Sequence, residues 1–240
     1  MIDIHTHICY GVDDGAQEFI DSVDMLYMAA ESYTGAVVLT PHTNLPGNSS
    51  NLWGPSLSEK FKRIRNAAID SDLPLQVFFG QEIFFDENTV DLFRKGYLIT
   101  INNSRYPLVE FDFGVDFDYC RNSLEQLLKE GLVPVIAHPE RYNFVSEDHD
   151  AAFKLRQMGC IIQLDKDSVL GNFGRSSYVN AKTLLSNHIA QVVASDCHST
   201  FTRSPDLKEC FDYIADAYDF DYAAELFELN PGRILRDMAL

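Results

Sequence analysis

Ile2-Asp3-Ile4-His5-Thr6-His7 opens the chain with a short run of alternating apolar residues that ends in two histidines. Side chains at i and i+2 share one face of a strand, so His5 and His7 point the same way from the end of a first strand. Two imidazoles converging at a strand end form a metal-ligand arrangement. Two polar histidines on a solvated strand face would read the same in isolation. What separates the two readings is how the rest of the chain punctuates itself.

Short β-branched or apolar runs recur at 2–5, 36–40, 75–80, 108–111, 133–138, 160–164 and 191–195. Helical patterns lie between and after them, at 18–32, 57–69, 86–93, 119–128, 150–158, 179–186 and 205–217. Strands alternating with helices predict parallel βα units and an α/β fold. Seven such units favour a barrel or strongly curved sheet over a short doubly wound one. No repeat, low-complexity tract or linker divides residues 1–240, so a single domain is expected.

Nearly every apolar run is followed by a residue able to hold a metal. Thr40-Pro41 leads to His42, Gly80-Gln81 to Glu82, Leu108-Val109 to Glu110, Ile136-Ala137 to His138, and Ala194-Ser195 to Asp196-Cys197-His198. Sites in parallel α/β folds are built at the carboxyl ends of strands. Together with His5 and His7, eight ligand-type residues occupy such positions. His42 and His138 each stand beside a proline and could be turn residues. Glu82 and Glu110 follow apolar runs that should be buried, and a buried carboxylate needs a cation or donors. His149 and His188 lie in polar helical stretches and read as surface histidines.

Composition bounds the partners. Of 240 residues, 46% are hydrophobic and 23% charged, ordinary for a globular chain. No apolar run approaches the roughly 18–20 residues that span a bilayer, and the opening residues lack a signal-peptide pattern, so the cytoplasm is expected. Five scattered cysteines without C-x-x-C argue against a disulfide framework or thiolate zinc site. A net charge of −17 repels phosphate backbones and anionic lipid, which disfavours nucleic acid and membrane and leaves a basic peptide or protein partner easier to accommodate.

The blocks Asp3-Ile4-His5-Thr6-His7, Thr40-Pro41-His42, Glu82, His138-Pro139-Glu140-Arg141-Tyr142 and Ser195-Asp196-Cys197-His198 together resemble the PHP (polymerase and histidinol phosphatase) superfamily. Within it, Tyr10-Gly11-Val12-Asp13-Asp14-Gly15-Ala16 and the block around His138 are similar to the metal-dependent protein-tyrosine phosphatases of bacterial capsule and exopolysaccharide clusters, the CpsB/CapC/YwqE-like group. The resemblance extends to Asn230-Pro231-Gly232-Arg233-Ile234-Leu235. It implies a distorted (β/α)7 barrel holding three divalent metals, commonly manganese. It further implies that His5, His7, Glu82 and Asp196 hold the first metal, that Glu82 bridges to a second completed by Glu110 and His138, and that His42 and His198 hold the third. Carboxylates at Asp14 and Glu110, where other branches carry histidines, agree with the tyrosine-phosphatase branch. Asp14 is a contact of the third site, a catalytic acid just behind it, or a helix N-cap.

His and carboxylate ligands without thiolate suit Mn, Fe or Zn. Clustered divalent ions generate hydroxide from bound water near neutral pH and neutralise phosphate oxygens. A guanidinium clamps the remaining oxygens bidentately; Arg141 is the first candidate and Arg203 the second, each with a structural salt bridge as its alternative. Cys197 to Arg203 also spells C-x5-R, the pattern of cysteine-dependent tyrosine phosphatases, but that loop has no glycine for close phosphate approach. Loop 43–56, carrying Trp53, is long enough to contact a phosphotyrosine peptide or to lie idle over an apolar patch. The expected activity is phosphomonoester hydrolysis, and the resemblance points to the phosphotyrosine of a bacterial tyrosine autokinase as substrate. A phosphatase of small metabolites or nucleotides, and a non-catalytic metal-binding domain, are the alternatives.

Overall fold

A computed structural model describes residues 1–46 and 51–240. Its strands are β1 (Ile2–Thr6), β2 (Ala36–Leu39), β3 (His42–Thr43), β4 (Gln76–Phe79), β5 (Glu82–Phe84), β6 (Leu108–Glu110), β7 (Val135–Ile136), β8 (Ile161–Asp165) and β9 (Val192–Ala194). The longer helices are α1 (Phe19–Glu31), α2 (Pro55–Asp70), α4 (Phe117–Lys129), α6 (Asp150–Gln157), α8 (Arg175–Ser186) and α9 (Lys208–Ala217). Shorter ones are α3 (Thr89–Arg94), α5 (Asn143–Glu147), α7 (Lys166–Leu170), α10 (Phe220–Ala224) and α11 (Asn230–Leu235), with a π-helical turn at Glu225–Leu229. None of the described helices is long and apolar enough to cross a membrane.

All ladders are parallel, in the orders β1-β2-β4 and β3-β5-β6-β7-β8-β9. Thr40-Pro41 separates β2 from β3 and Gly80-Gln81 separates β4 from β5, so these four segments are two interrupted strands. Closure comes from the segment after β9: Thr6 bridges Cys197, His7 N donates to Cys197 O at 2.9 Å, and Asp196 N to His5 O at 3.0 Å. The result is the expected barrel of seven βα units.

Alternation divides the strands between two layers. Ile4, Val38, Leu108, Val135, Ile161 and Val192 fill the interior, joined by Ile101, Tyr106, Ile234 and Leu235 at the amino-terminal end. Val37, Leu39 and Val77 face α1 and α2, while Val109, Ile136, Ile162 and Val193 face the helices of the other half. Strict alternation could not bring Ile4 into the interior and also place His5 and His7 over it. Between Asp3↔Val37 and Thr6↔Leu39, β1 advances three residues against two on β2. That extra residue is a bulge, a device that re-aims side chains beside sites.

The expected helices fall within a few residues of their positions. The pattern missed α5, α7 and the segment from Phe220 to Leu235. The first two span five residues each, too short to show a period.

Candidate metal centre and phosphate clamp

The barrel's carboxyl end gathers all eight ligand-type residues and Asp14. His42 and Glu82 are direct neighbours in the β3–β5 ladder, and Glu110 ends β6. His138 and Asp196 each follow an apolar strand and adopt left-handed φ of 37° and 48°. Such backbone is costly for residues with a Cβ and clusters at functional sites.

Four atoms meet at the centre. His5 Nε2 lies 3.2 Å from Glu82 Oε2 and 3.4 Å from Asp196 Oδ1; His7 Nε2 lies 3.2 and 3.3 Å from the same two oxygens; the two Nε2 atoms are 3.2 Å apart. Ligand atoms about 2.1 Å from one ion are separated by about 3.0–3.4 Å. Beside this set, His138 Nε2 lies 3.0 Å from Glu82 Oε1 and 4.0 Å from Glu110 Oε2. On the other side Asp14 Oδ1 lies 3.2 Å from His198 Nε2 and 3.6 Å from His42 Nε2. His42 also turns Nδ1 to Glu82 at 2.8 Å and Glu110 at 2.9 Å. Among the described residues, the buried oxygens Glu82 Oε2, Glu110 Oε1 and Asp196 Oδ1 face only these imidazoles and receive no other donor. Buried carboxylates at this density are what a set of cations would satisfy.

Three of the imidazoles are oriented from behind. His7 Nδ1 meets Asp13 Oδ2 at 2.8 Å, His5 Nδ1 meets Gln163 Oε1 at 2.9 Å, and His198 Nδ1 meets the Asp196 carbonyl at 2.9 Å. With Nδ1 carrying the proton, Nε2 presents its lone pair to the centre. Gly15 makes this possible: a Cβ there would stand 2.1 Å from the His7 carbonyl and 2.5 Å from its Cβ. Asp13 also accepts from His42 N at 3.0 Å and Gly15 N at 3.0 Å, tying the 10–16 loop to two ligand-type residues.

Burial alone would raise Glu82 and Asp196, but the charge of His5 beside each outweighs it and holds both well below the usual carboxylate range. Burial opposes protonation of His42, yet the Glu82 charge overrides it and pushes that imidazole up to about 10. The hydrogen bond with His198, ahead of the charge of that imidazole, lowers Asp14. In the metal-free chain protons therefore compensate the acids, and a bound cation must displace them.

Arg141 and Arg203 converge on the outer oxygen of Asp196. Arg141 Nη1 lies 3.3 Å from Asp165 Oδ2 and 3.6 Å from Asp196 Oδ2, and Arg203 Nη2 pairs closely with that same Asp196 oxygen. Both salt bridges therefore exist, and both link the arginines to the ligand set. The guanidinium carbon of Arg141 sits 4.4 Å from the Phe113 ring centre and 4.5 Å from that of Phe173.

Other sequence readings resolve differently. Cys197 is fully buried and its thiol is pushed up to about 12 by burial, so no thiolate is available near neutral pH. Asp14 is no helix cap, because α1 begins five residues later behind Glu18. Trp53 stacks near Phe61 and Phe79, ring centres 5.8 and 6.5 Å away, which makes it part of the outer core; residues 47–50 of its loop lie outside the described residues. His149 and His188 stay apart from the cluster, His149 bonding Asn180 at 3.0 Å and His188 against Tyr222. Sequence reasoning missed Asp13, Gln163 and Asp165. Asp165 is the last residue of β8 and obeys the same strand-end rule, but the apolar run reads only to Leu164; Gln163 lies inside that run, where no strand-end signal marks it.

Histidines and carboxylates over the carboxyl end of a closed parallel barrel, with guanidinium groups alongside, define a candidate metal-dependent hydrolase. The profile of the family described as capsular polysaccharide synthesis, CpsB/CapC, matches residues 1–236, and the chain belongs to that family. It is 32% identical over 248 residues to tyrosine-protein phosphatase CpsB of Streptococcus pneumoniae, with all of both chains covered. To tyrosine-protein phosphatase YwqE of Bacillus subtilis it is 34% identical over 206 residues, covering 85% of this chain and 80% of the relative. Its fold matches a solved chain from work on YwqE of Bacillus subtilis and CpsB of Streptococcus pneumoniae, "unique metal-dependent tyrosine phosphatases", with a TM-score of 0.92 at 30% identity, covering 100% of this chain and 96% of that one.

Proposed function

We propose that this chain is a metal-dependent protein-tyrosine phosphatase. The observation that carries the reading is the convergence of His5, His7, Glu82 and Asp196 at 3.2–3.4 Å, with two arginines on the far oxygen of Asp196. His5, His7, Glu82 and Asp196 would hold a first ion; Glu82, Glu110 and His138 a second; and Asp14, His42 and His198 a third. Manganese is the first choice, with iron or zinc compatible with the same donors. When bound, divalent ions neutralise phosphate oxygens and acidify water.

The chain's own groups do the rest. Arg141 makes one side-chain hydrogen bond among the described residues, from Nη1, and offers its remaining donors to the phosphate. Arg203 braces Asp196 from the other side. A departing phenol has a pKa of about 10, so a tyrosine ester needs less help from an acid than an alkyl ester does, and Asp14, held ionised by His198, serves as a ligand rather than as that acid. Residues 1–240 act as one domain. The natural substrate is the phosphotyrosine tail of a tyrosine autokinase of capsule or exopolysaccharide synthesis, met in the cytoplasm. The family's capsular assignment supports this choice, and the acidic surface favours such a protein over nucleic acid.

The test is phosphate release from a phosphotyrosine peptide, a phosphoserine peptide and histidinol phosphate, side by side, with Mn2+ present. Preference for the tyrosine peptide is expected; preference for the small ester would move the chain to the metabolite-phosphatase reading.

A further inference from the structure

We propose that Phe113 determines the preference for aryl phosphates, forming the wall against which the phenyl ring of phosphotyrosine packs beside the phosphate clamp. The inference rests on the tyrosine-phosphatase reading and assigns a residue to its substrate selectivity. Phe113 stands three positions after Glu110, in the connection leaving β6. It is a large apolar side chain left 41% exposed, yet its backbone is pinned. Gly114 N donates to Asp112 Oδ1 at 2.8 Å, Val115 N to Asp112 O at 2.9 Å, and Asn143 N to Phe113 O at 2.8 Å. One of these bonds is Phe113's own, the other two close the turn around it, and the ring itself is held by His138, by Tyr142 with ring centres 6.2 Å apart, and by Arg141, so its open edge is a surface kept ready for a partner.

Its surroundings say which partner. The ring meets His138 edge-on, centres 5.9 Å apart at 82°, and that imidazole lies 3.0 Å from Glu82. Arg141 lies over the same ring, 4.4 Å from its centre, while Phe173 flanks the guanidinium at 4.5 Å. Phe113 and Phe173 make no ring contact with each other among the described residues, so the guanidinium separates them. A phosphate held by Arg141 next to His138 therefore carries its ester group out along Phe113. A phenyl ring there finds an aromatic neighbour at offset or edge-on geometry; the single methylene of a phosphoserine is too short to reach it. The Phe113–Arg141 contact also orders the guanidinium before substrate arrives, so Phe113 positions the clamp as well as lining the slot.

Phe113→Ala, Phe113→Leu and Phe113→Trp test this with two peptides of one sequence, bearing phosphotyrosine or phosphoserine. For Phe113→Ala, KM for the tyrosine peptide should rise about tenfold and the tyrosine-over-serine ratio of kcat/KM fall by a similar factor. Phe113→Trp should retain the wild-type ratio, and Phe113→Leu, which keeps bulk without a π face, should lower it. Calorimetric binding of a non-hydrolysable phosphonate analogue of the tyrosine peptide should weaken in step. An unchanged ratio in Phe113→Ala, with wild-type protein selective, overturns the inference and leaves the tyrosine-phosphatase reading standing. Wild-type protein that shows no tyrosine preference overturns that reading first.

Discussion

The two ends of the barrel are built from the same seven strands and obey opposite rules. At the amino-terminal end Ile101, Tyr106, Ile234 and Leu235 close an apolar interior, and three polar side chains at its rim find partners: Tyr106 Oη donates to Met238 O at 2.7 Å, Asn102 Nδ2 to Leu235 O at 3.0 Å, and Arg105 pairs with Asp237 at 2.9 Å. At the carboxyl end the buried oxygens Glu82 Oε2, Glu110 Oε1 and Asp196 Oδ1 meet, among the described residues, only the imidazoles of the same cluster and no other donor. The amino-terminal end closes mostly within the chain, with Thr34 Oγ1 buried and unbonded among the described residues. The other carries desolvated charge that the fold does not resolve, so it is shaped for something that binds. Parallel barrels divide stability and function between their ends in this way.

Substitutions at each end should separate the two roles. Glu82→Gln, at the point shared by two of the ligand groups, should lower turnover by about 10³-fold or more and reduce the bound metal measured by elemental analysis. Full activity in that variant would break the comparison outright. Arg141→Ala should keep the metal and lose about 10²–10³-fold in kcat, the scale of a lost charge-stabilising donor; metal loss in parallel would make Arg141 a brace of Asp196 instead. Gly15→Ala must displace the backbone of His7, and a metal affinity about 10–100-fold weaker is expected, read by chelator competition.

A pH series sharpens the same contrast. In the metal-free chain His42 is raised to about 10, burial being outweighed chiefly by Glu82. A folded pKa above the unfolded value of about 6.5 gives stability that is complete below that pH and is lost as pH rises toward about 10. Metal demands the neutral imidazole, so loaded protein should not share the loss. The rise in Tm on adding Mn2+ should widen between about pH 6.5 and about pH 9; a constant gap would mean that these protons do not compete with the ion. Smallest of all, Tyr106→Phe at the amino-terminal end should cost about 1 kcal/mol in urea unfolding and leave kcat/KM unchanged.

Much of this division was legible in the sequence, and what was hidden had physical causes. Apolar runs gave the seven strands because a parallel barrel buries both strand faces, and the ligand-type residues stood out because they interrupt those runs at one end. The bulge in β1 was invisible, since it depends on the β2 register and not on local pattern. Asp13 escaped because a carboxylate beside Asp14 in a loop carries no periodicity to say which one faces inward; only the fold shows Asp13 behind His7 and Asp14 before His198. The aromatic clamp on Arg141 joins Phe113 and Phe173, sixty residues apart in sequence, and no spacing rule connects them.

The most direct measurement follows bound metal and phosphotyrosine hydrolysis in one sample while Mn2+ is returned to chelator-stripped protein. Stripped protein should be inactive, and turnover should rise with filling of the site and vanish again on chelation. Turnover at the full rate in protein shown to hold no metal would contradict the assignment of the carboxyl end as a metal-dependent centre.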